Sequence, residues 1–217
     1  MGEVELDIAR GIVIIHADIY FYGYAASDEV AMMVAKDIES HWNEPALSVS
    51  IKYRWYTVQF NMNGFYAASL TPEEVYENNN PRNNYFRVEN FARGNISFVD
   101  GLNSNTGYFL LDNLLNGSTT AAHEFGHTLG LDHPHNLDIR GKGVPGIMYP
   151  RGTIVDPPYQ YDPNAAPGKP GGTMNPFTRK VLIEDIQGLQ LNKLRYNRAG
   201  KAVLGDFSSL WHEAHQP

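Results

Sequence analysis

The stretch from His123 to His133 reads His-Glu-Phe-Gly-His-Thr-Leu-Gly-Leu-Asp-His and sets three of the chain's eight histidines in the spacing H-E-x-x-H-x-x-G-x-x-H. On an α-helix His123 and His127 stand one turn apart on one face, so both imidazoles can reach a single metal ion at about 2.0–2.1 Å. Glu124 lies one residue round from His123, near enough to hold a water without being forced to ligate. Gly130 lets the helix stop and turn, because glycine enters the left-handed backbone region that most side chains avoid. His133 then returns as a third ligand. Three protein ligands leave a fourth position for water, which separates a catalytic zinc site from a structural one. The bland alternative is a buried amphipathic helix with hydrogen-bonded histidines, but packing gives no reason for this spacing.

The rest of the composition narrows the chemistry. The chain has no cysteine, which removes disulfides, thiolate ligands and cysteine nucleophiles and leaves histidine and carboxylate. A formal net charge of −7 argues against a nucleic-acid partner, whose binding face would be basic. With 217 residues, 42% of them apolar, the chain suits one domain, 1–217, with an N-terminal lobe to about residue 133 and a C-terminal lobe from about residue 134. No apolar run approaches the length of a membrane span. The start, Met1-Gly2-Glu3-Val4-Glu5, lacks the basic and apolar regions of a signal peptide.

Along the chain, Gly11 to Tyr24 is β-branched and aromatic and predicts one or two strands. Ser27, Asp28 and Glu29 predict a helix start. Val30, Val34, Ile38 and Trp42, with Met33 beside them, predict an amphipathic helix with an inward stripe, closed by Asn43 and Pro45. Ser48 to Met62 alternates and predicts one strand, so the strand–helix–strand order suggests a parallel crossover. Thr71-Pro72-Glu73-Glu74 predicts a short helix, and Glu77 to Asn84 an exposed loop. Tyr85 to Phe91, Asn95 to Val99 and Tyr108 to Leu111 predict short strands. The oxygen-rich turns between them permit calcium, but the regular D-x-D-x-D-G spacing is missing and calcium is unsupported.

Ser118 or Asn116 is expected to cap the histidine-bearing helix, with Ala121, Ala122, Phe125 and Leu129 facing inward. Pro134 to Pro176 is rich in Pro and Gly and predicts an irregular lobe, and structureless stretches of this length are usually functional. Thr178 to about Tyr196 predicts a final helix, and Asp206 to His215 a short terminal one. The expected fold class is α+β: a twisted mixed sheet with two helices packed on it, then an irregular lobe with a C-terminal helix. His16, His41, His135, His212 and His215 have no partner at ligand spacing and are expected at the surface or packed on strands.

The motif together with Gly146-Ile147-Met148-Tyr149-Pro150 resembles the metzincin clan of zinc endopeptidases, and within it the matrixins, the matrix metalloproteinase family. Matrixins commonly read almost the same from the first to the third histidine, and their methionine turn often reads Met-Tyr-Pro. Glu184-Asp185-Ile186-Gln187-Gly188-Leu189 is similar to their last helix. The resemblance implies a metzincin-like fold holding one catalytic Zn2+. By it, His123, His127 and His133 are the ligands, Glu124 is the general base and Met148 is the floor under the metal. Asp185 would hold the methionine turn through hydrogen bonds. Nothing between Asn84 and Asn116 matches the metal-binding stretch that matrixins carry upstream, so no second zinc is expected. Pro150 occupies the place where other metzincins carry a ligating tyrosine, and Tyr149 is given no such role.

The activity implied is endopeptidase hydrolysis of protein substrates by a zinc-activated water, with Glu124 passing the proton to the departing amine. A substrate would bind extended along a sheet edge within Asn95 to Leu111. A monomer, secreted or acting outside the cell, is further expected, and the acidic balance leaves no nucleic-acid partner. Two alternatives stand beside it: a catalytically weak zinc-stabilised binding module, and a protease-toxin or effector domain of a larger protein.

Overall fold

The computed structural model describes residues 1–216. The chain is mixed α/β, built around one curled mixed sheet with few helices. At its centre lies β2 (Ile12–Tyr22), the β-branched run of the sequence. Val13, Ile15, Ala17, Ile19 and Phe21 point to one buried face, while Ile14, His16, Asp18 and Tyr20 point to the other and are half-buried.

A helix, α1 (Asp28–Asn43), packs on the buried face. Ser27 caps it, its hydroxyl accepting from the Val30 N–H. Its inward stripe is Ala31, Val34, Ala35, Ile38 and Trp42. Met33, expected beside the stripe, is 40% exposed, because it stands about 100° round the helix from Val34.

Ser48 to Met62 is not one strand. It is a hairpin, β3 (Ser48–Ile51) and β4 (Arg54–Tyr66), turning through Lys52 and Tyr53 at φ 48° and 64°. β4 runs parallel to β2 from Ile12↔Thr57 to Phe21↔Tyr66, as the crossover order suggested. The other edge of β2 is shared. Its first half pairs antiparallel with β1 (Gly2–Asp7), and its second half pairs parallel with β5 (Asn83–Glu89).

Between β4 and β5 lies the short α2 (Pro72–Tyr76), closed by a Thr71–Glu74 capping box. Beyond β5 the sheet continues through β6 (Phe98–Val99) and β7 (Thr106–Leu110), with β7 against β5 and β6 at the outer edge, antiparallel to β7. A second helix, α3 (Thr120–Thr128), completes the layer over the buried face, where Phe86, Phe109 and Phe125 join the same core.

The C-terminal region departs most from expectation. The helix predicted from Thr178 to Tyr196 is only α4 (Ile183–Gly188). Leu182 before it is extended, and Gln190 after it is left-handed, which ends the helix at one and a half turns. β8 (Lys201–Leu204) pairs with β1, so the two chain ends form an antiparallel ribbon beside β2. Residues 206–216 form no terminal helix. They lie as an extended strap across the outer face of β5 and β7, with Trp211 stacked on Tyr22 at 4.4 Å and His215 on Tyr108 at 4.0 Å. His212 lies 2.9 Å from Asp100, and Arg87 Nη1 donates to the His212 carbonyl at 2.9 Å. That second layer explains why β5 and β7 are buried on both faces.

Pro134 to Pro176 is irregular, as its composition predicts, yet it has a small core of its own. Ile139, Val155 and Met174 pack together, flanked by Tyr149 and Tyr159. No helix among the described residues is long and apolar enough to cross a membrane.

Candidate metal centre

α3 is held from both sides. Ala121, Ala122, Phe125 and Leu129 face the core, and the Trp42 indole of α1 donates to the Ala122 carbonyl at 3.1 Å. The expected cap is displaced: Thr119 occupies the capping position but its hydroxyl bonds no N–H of the helix, while Ser118 Oγ accepts from the Thr120 N–H at 3.2 Å. Asn116 lies outside the helix, in the turn before it, at φ 60°.

The helix ends in a Schellman turn, Leu131 N–H to the Gly126 carbonyl and Gly130 N–H to the His127 carbonyl, both at 3.0 Å. Gly130 has φ 92°, and a Cβ there would meet Asn103 Oδ1 at 2.4 Å. Glycine is required at this position twice over, by conformation and by space.

The turn brings His133 back to the helix. Its Nε2 lies 3.1 Å from His123 Nε2 and 3.0 Å from His127 Nε2. Tetrahedral ligation at zinc–nitrogen distances of about 2.05 Å would put such nitrogens roughly 3.3 Å apart, so both separations from His133 stand within a few tenths of an ångström of that geometry, and all three ligand atoms lie within 4.8 Å of one another. Tautomers settle the rest. His123 Nδ1 donates to the Ile147 carbonyl and His127 Nδ1 to the Leu131 carbonyl, each at 2.7 Å. Carbonyls only accept, so both protons are on Nδ1 and both Nε2 lone pairs face the common point. Burial, first of all, holds all three imidazoles below their usual pKa and keeps them neutral, as ligands must be. The three histidines could therefore hold a metal ion.

Glu124 opens onto a cleft of about 250 Å³, lined by His123 and His133 together with Ile96, Ser97, Arg151 and Arg179. Burial pushes its carboxyl up to about 8, opposed by the positive field of Arg179 and by a hydrogen bond from the Val99 backbone. A cation on the histidines acts in the opposing direction as well. Ile96 and Ser97 lead directly into β6, so the edge strand of the sheet runs along the cleft.

Met148 is buried beneath α3, and a Cβ at Gly126 would lie 2.3 Å from its sulfur and 3.2 Å from the Trp42 ring. Asp185, at the start of α4, accepts from the Leu182 N–H at 2.8 Å and hydrogen-bonds the Ile147 backbone. Ile147 thus links the Asp185 carboxylate on one side to the His123 ring on the other.

Two contributors escaped the sequence reading. Gly126 fills one of the x positions of the motif, and its importance depends on where Met148 lies. Arg179 is buried, donating from Nε to Thr119 Oγ1 at 2.8 Å and from Nη1 to the Tyr149 carbonyl at 3.0 Å. Its one local signal is a cation at the end of a Pro/Gly-rich stretch. In comparison with known proteins, the chain matches no family model and no curated protein.

Proposed function

We propose that the protein is a zinc-dependent endopeptidase of the metzincin kind, with His123, His127 and His133 as ligands and Glu124 as general base. The observation that carries this reading is the convergence of His123 and His127 Nε2 on His133 Nε2, at 3.1 and 3.0 Å, beside a carboxylate that opens on a cleft. Zinc bound there supplies a Lewis acid that acidifies water and polarises a carbonyl. Glu124, one residue round the helix from His123, takes the water's proton and returns it to the departing amine.

The exposed edge of β6 offers backbone groups along which a peptide can lie extended. Met148 packs under the helix, and Asp185 braces the turn that carries Ile147. Both support rigid ligand placement. The test is Glu124→Gln. Zinc should bind as in the wild type, while kcat/KM on a peptide library falls by about 10²–10⁴-fold. A chelator should abolish wild-type hydrolysis. Hydrolysis undiminished in Glu124→Gln removes the assignment, and zinc binding with no hydrolysis by the wild type leaves a zinc-stabilised binding module.

A further inference from the structure

The cleft beside the three histidines carries two arginines and a single carboxylate, Glu124. Ion pairs of the described residues engage Arg10, Arg82, Arg87 and Arg140, but neither Arg151 nor Arg179. Arg151 is anchored by a neutral group, its Nη2 donating to Asn113 Oδ1 at 3.1 Å. Arg179 is only 4% exposed, and its two hydrogen bonds also go to neutral oxygens, those of Thr119 and Tyr149. A guanidinium has five N–H donors, so most of its donor capacity remains for the cleft it lines. Burying a cation without a directly paired anion is costly, and an incoming anion would offset that cost.

Position adds to charge. Thr119, which anchors the Arg179 guanidinium, precedes His123 by four residues, about 6 Å along the helix. An extended peptide advances about 3.3 Å per residue. Arg179 is thereby anchored within about one or two extended residues of the histidines, in the same cleft as Arg151.

Resting on the peptidase reading, we infer that Arg179 and Arg151 form a carboxylate receptor in this cleft, which directs cleavage to bonds flanked by an acidic group of the substrate. Arg179 supplies a fixed fork, and Arg151, exposed at the rim, supplies a second positive charge. Burial draws the Arg179 pKa down to about 10, which leaves it charged at neutral pH. The carboxylate has two sources, the side chain of an internal Asp or Glu and the α-carboxylate of a peptide end.

The experiment uses the full, zinc-loaded chain and quenched fluorescent peptides that differ only in the residues around the cleaved bond. Glu peptides should exceed their Gln counterparts in kcat/KM by about 10–100-fold, the size of a charge-assisted bidentate contact. Amidating the peptide end changes nothing if the side chain is bound; if the α-carboxylate is bound instead, Glu and Gln peptides are cleaved alike and amidation lowers both. The preference should fall to within about threefold in Arg179→Gln and by an intermediate amount in Arg151→Gln. The rim variant keeps the test open if Arg179→Gln fails to fold. Equal cleavage of Glu and Gln peptides by the wild type that amidation does not lower, or a preference undiminished in the arginine variants, overturns the receptor while the peptidase reading stands. If no peptide is cleaved, the peptidase reading fails separately. Tighter binding of Glu than Gln peptides, or of free-acid than amidated ones, to the zinc-loaded chain, lost in Arg151→Gln, would then still support the receptor, and binding indifferent to both changes would overturn it.

Discussion

His123 donates from Nδ1 to the Ile147 carbonyl at 2.7 Å, across 24 residues of chain. That bond fixes the tautomer of one candidate ligand and ties α3 to the turn that carries Met148. Asp185 holds the same turn from its other side, at the Ile147 backbone. Removing it with Asp185→Ala should loosen the turn and weaken zinc affinity by about tenfold or more, as loss of a group behind a ligand does. A competition titration with a chromophoric chelator measures this. Wild-type affinity in a folded Asp185→Ala chain would show that the turn is held without the carboxylate.

Asp185 also predicts a pH dependence of stability. Burial raises its carboxyl to about 6, against the 3.8 of an ordinary aspartate, while the Leu182 and Ile147 backbone bonds pull it down. Between these values the folded chain keeps a proton that the unfolded chain releases, so the contribution is complete below about 3.8 and is lost as pH rises through about 6. The wild-type stability minus that of Asp185→Asn should therefore fall by roughly 1–3 kcal/mol from pH 4 to pH 7. Urea midpoints at several pH values give this difference. A difference that is constant with pH contradicts it.

Gly126 and Met148 are coupled by space. Gly126→Ala should cost about 1–3 kcal/mol by overpacking, since its Cβ would lie 2.3 Å from the Met148 sulfur. In a Met148→Ala background the same change should cost at least about 1 kcal/mol less. Denaturant melts of the four chains close the cycle. Additive costs would mean that the sulfur is not what excludes a side chain.

Gly130→Ala separates two causes of the same requirement. At φ 92° the backbone is strained for alanine, and Asn103 Oδ1 occupies the place of its Cβ. The single change should cost about 1–3 kcal/mol and weaken metal binding by displacing His133. Adding Asn103→Gly removes the clash but not the strain, so thermal melts should recover part of the loss. Full recovery would assign the whole effect to the clash.

The sequence was most legible where the pattern is local. The spacing of His123, His127 and His133 and the stripe Val34, Ile38 and Trp42 can be read within two or three helical turns, and Ser27 declares the helix start itself. The hairpin at Lys52 and Tyr53 was not legible, because both residues are left-handed without being the glycine or asparagine that normally announces such a turn. The C-terminal strap is not legible as an extended segment because its partners are remote: His212 meets Asp100 across 112 residues, and Trp211 meets Tyr22. Arg179 belongs to the same class, since Thr119 lies 60 residues away. The charged wall of the cleft exists only in the folded chain.

The account rests on three imidazoles acting as one site, and equilibrium zinc titration at neutral pH tests that most directly. The predicted result is one zinc per chain, held at or below about 10 nM, with affinity reduced by at least about 100-fold in each of His123→Ala, His127→Ala and His133→Ala. Binding well below one zinc per chain, or one zinc held equally tightly after any of the three substitutions, would contradict it.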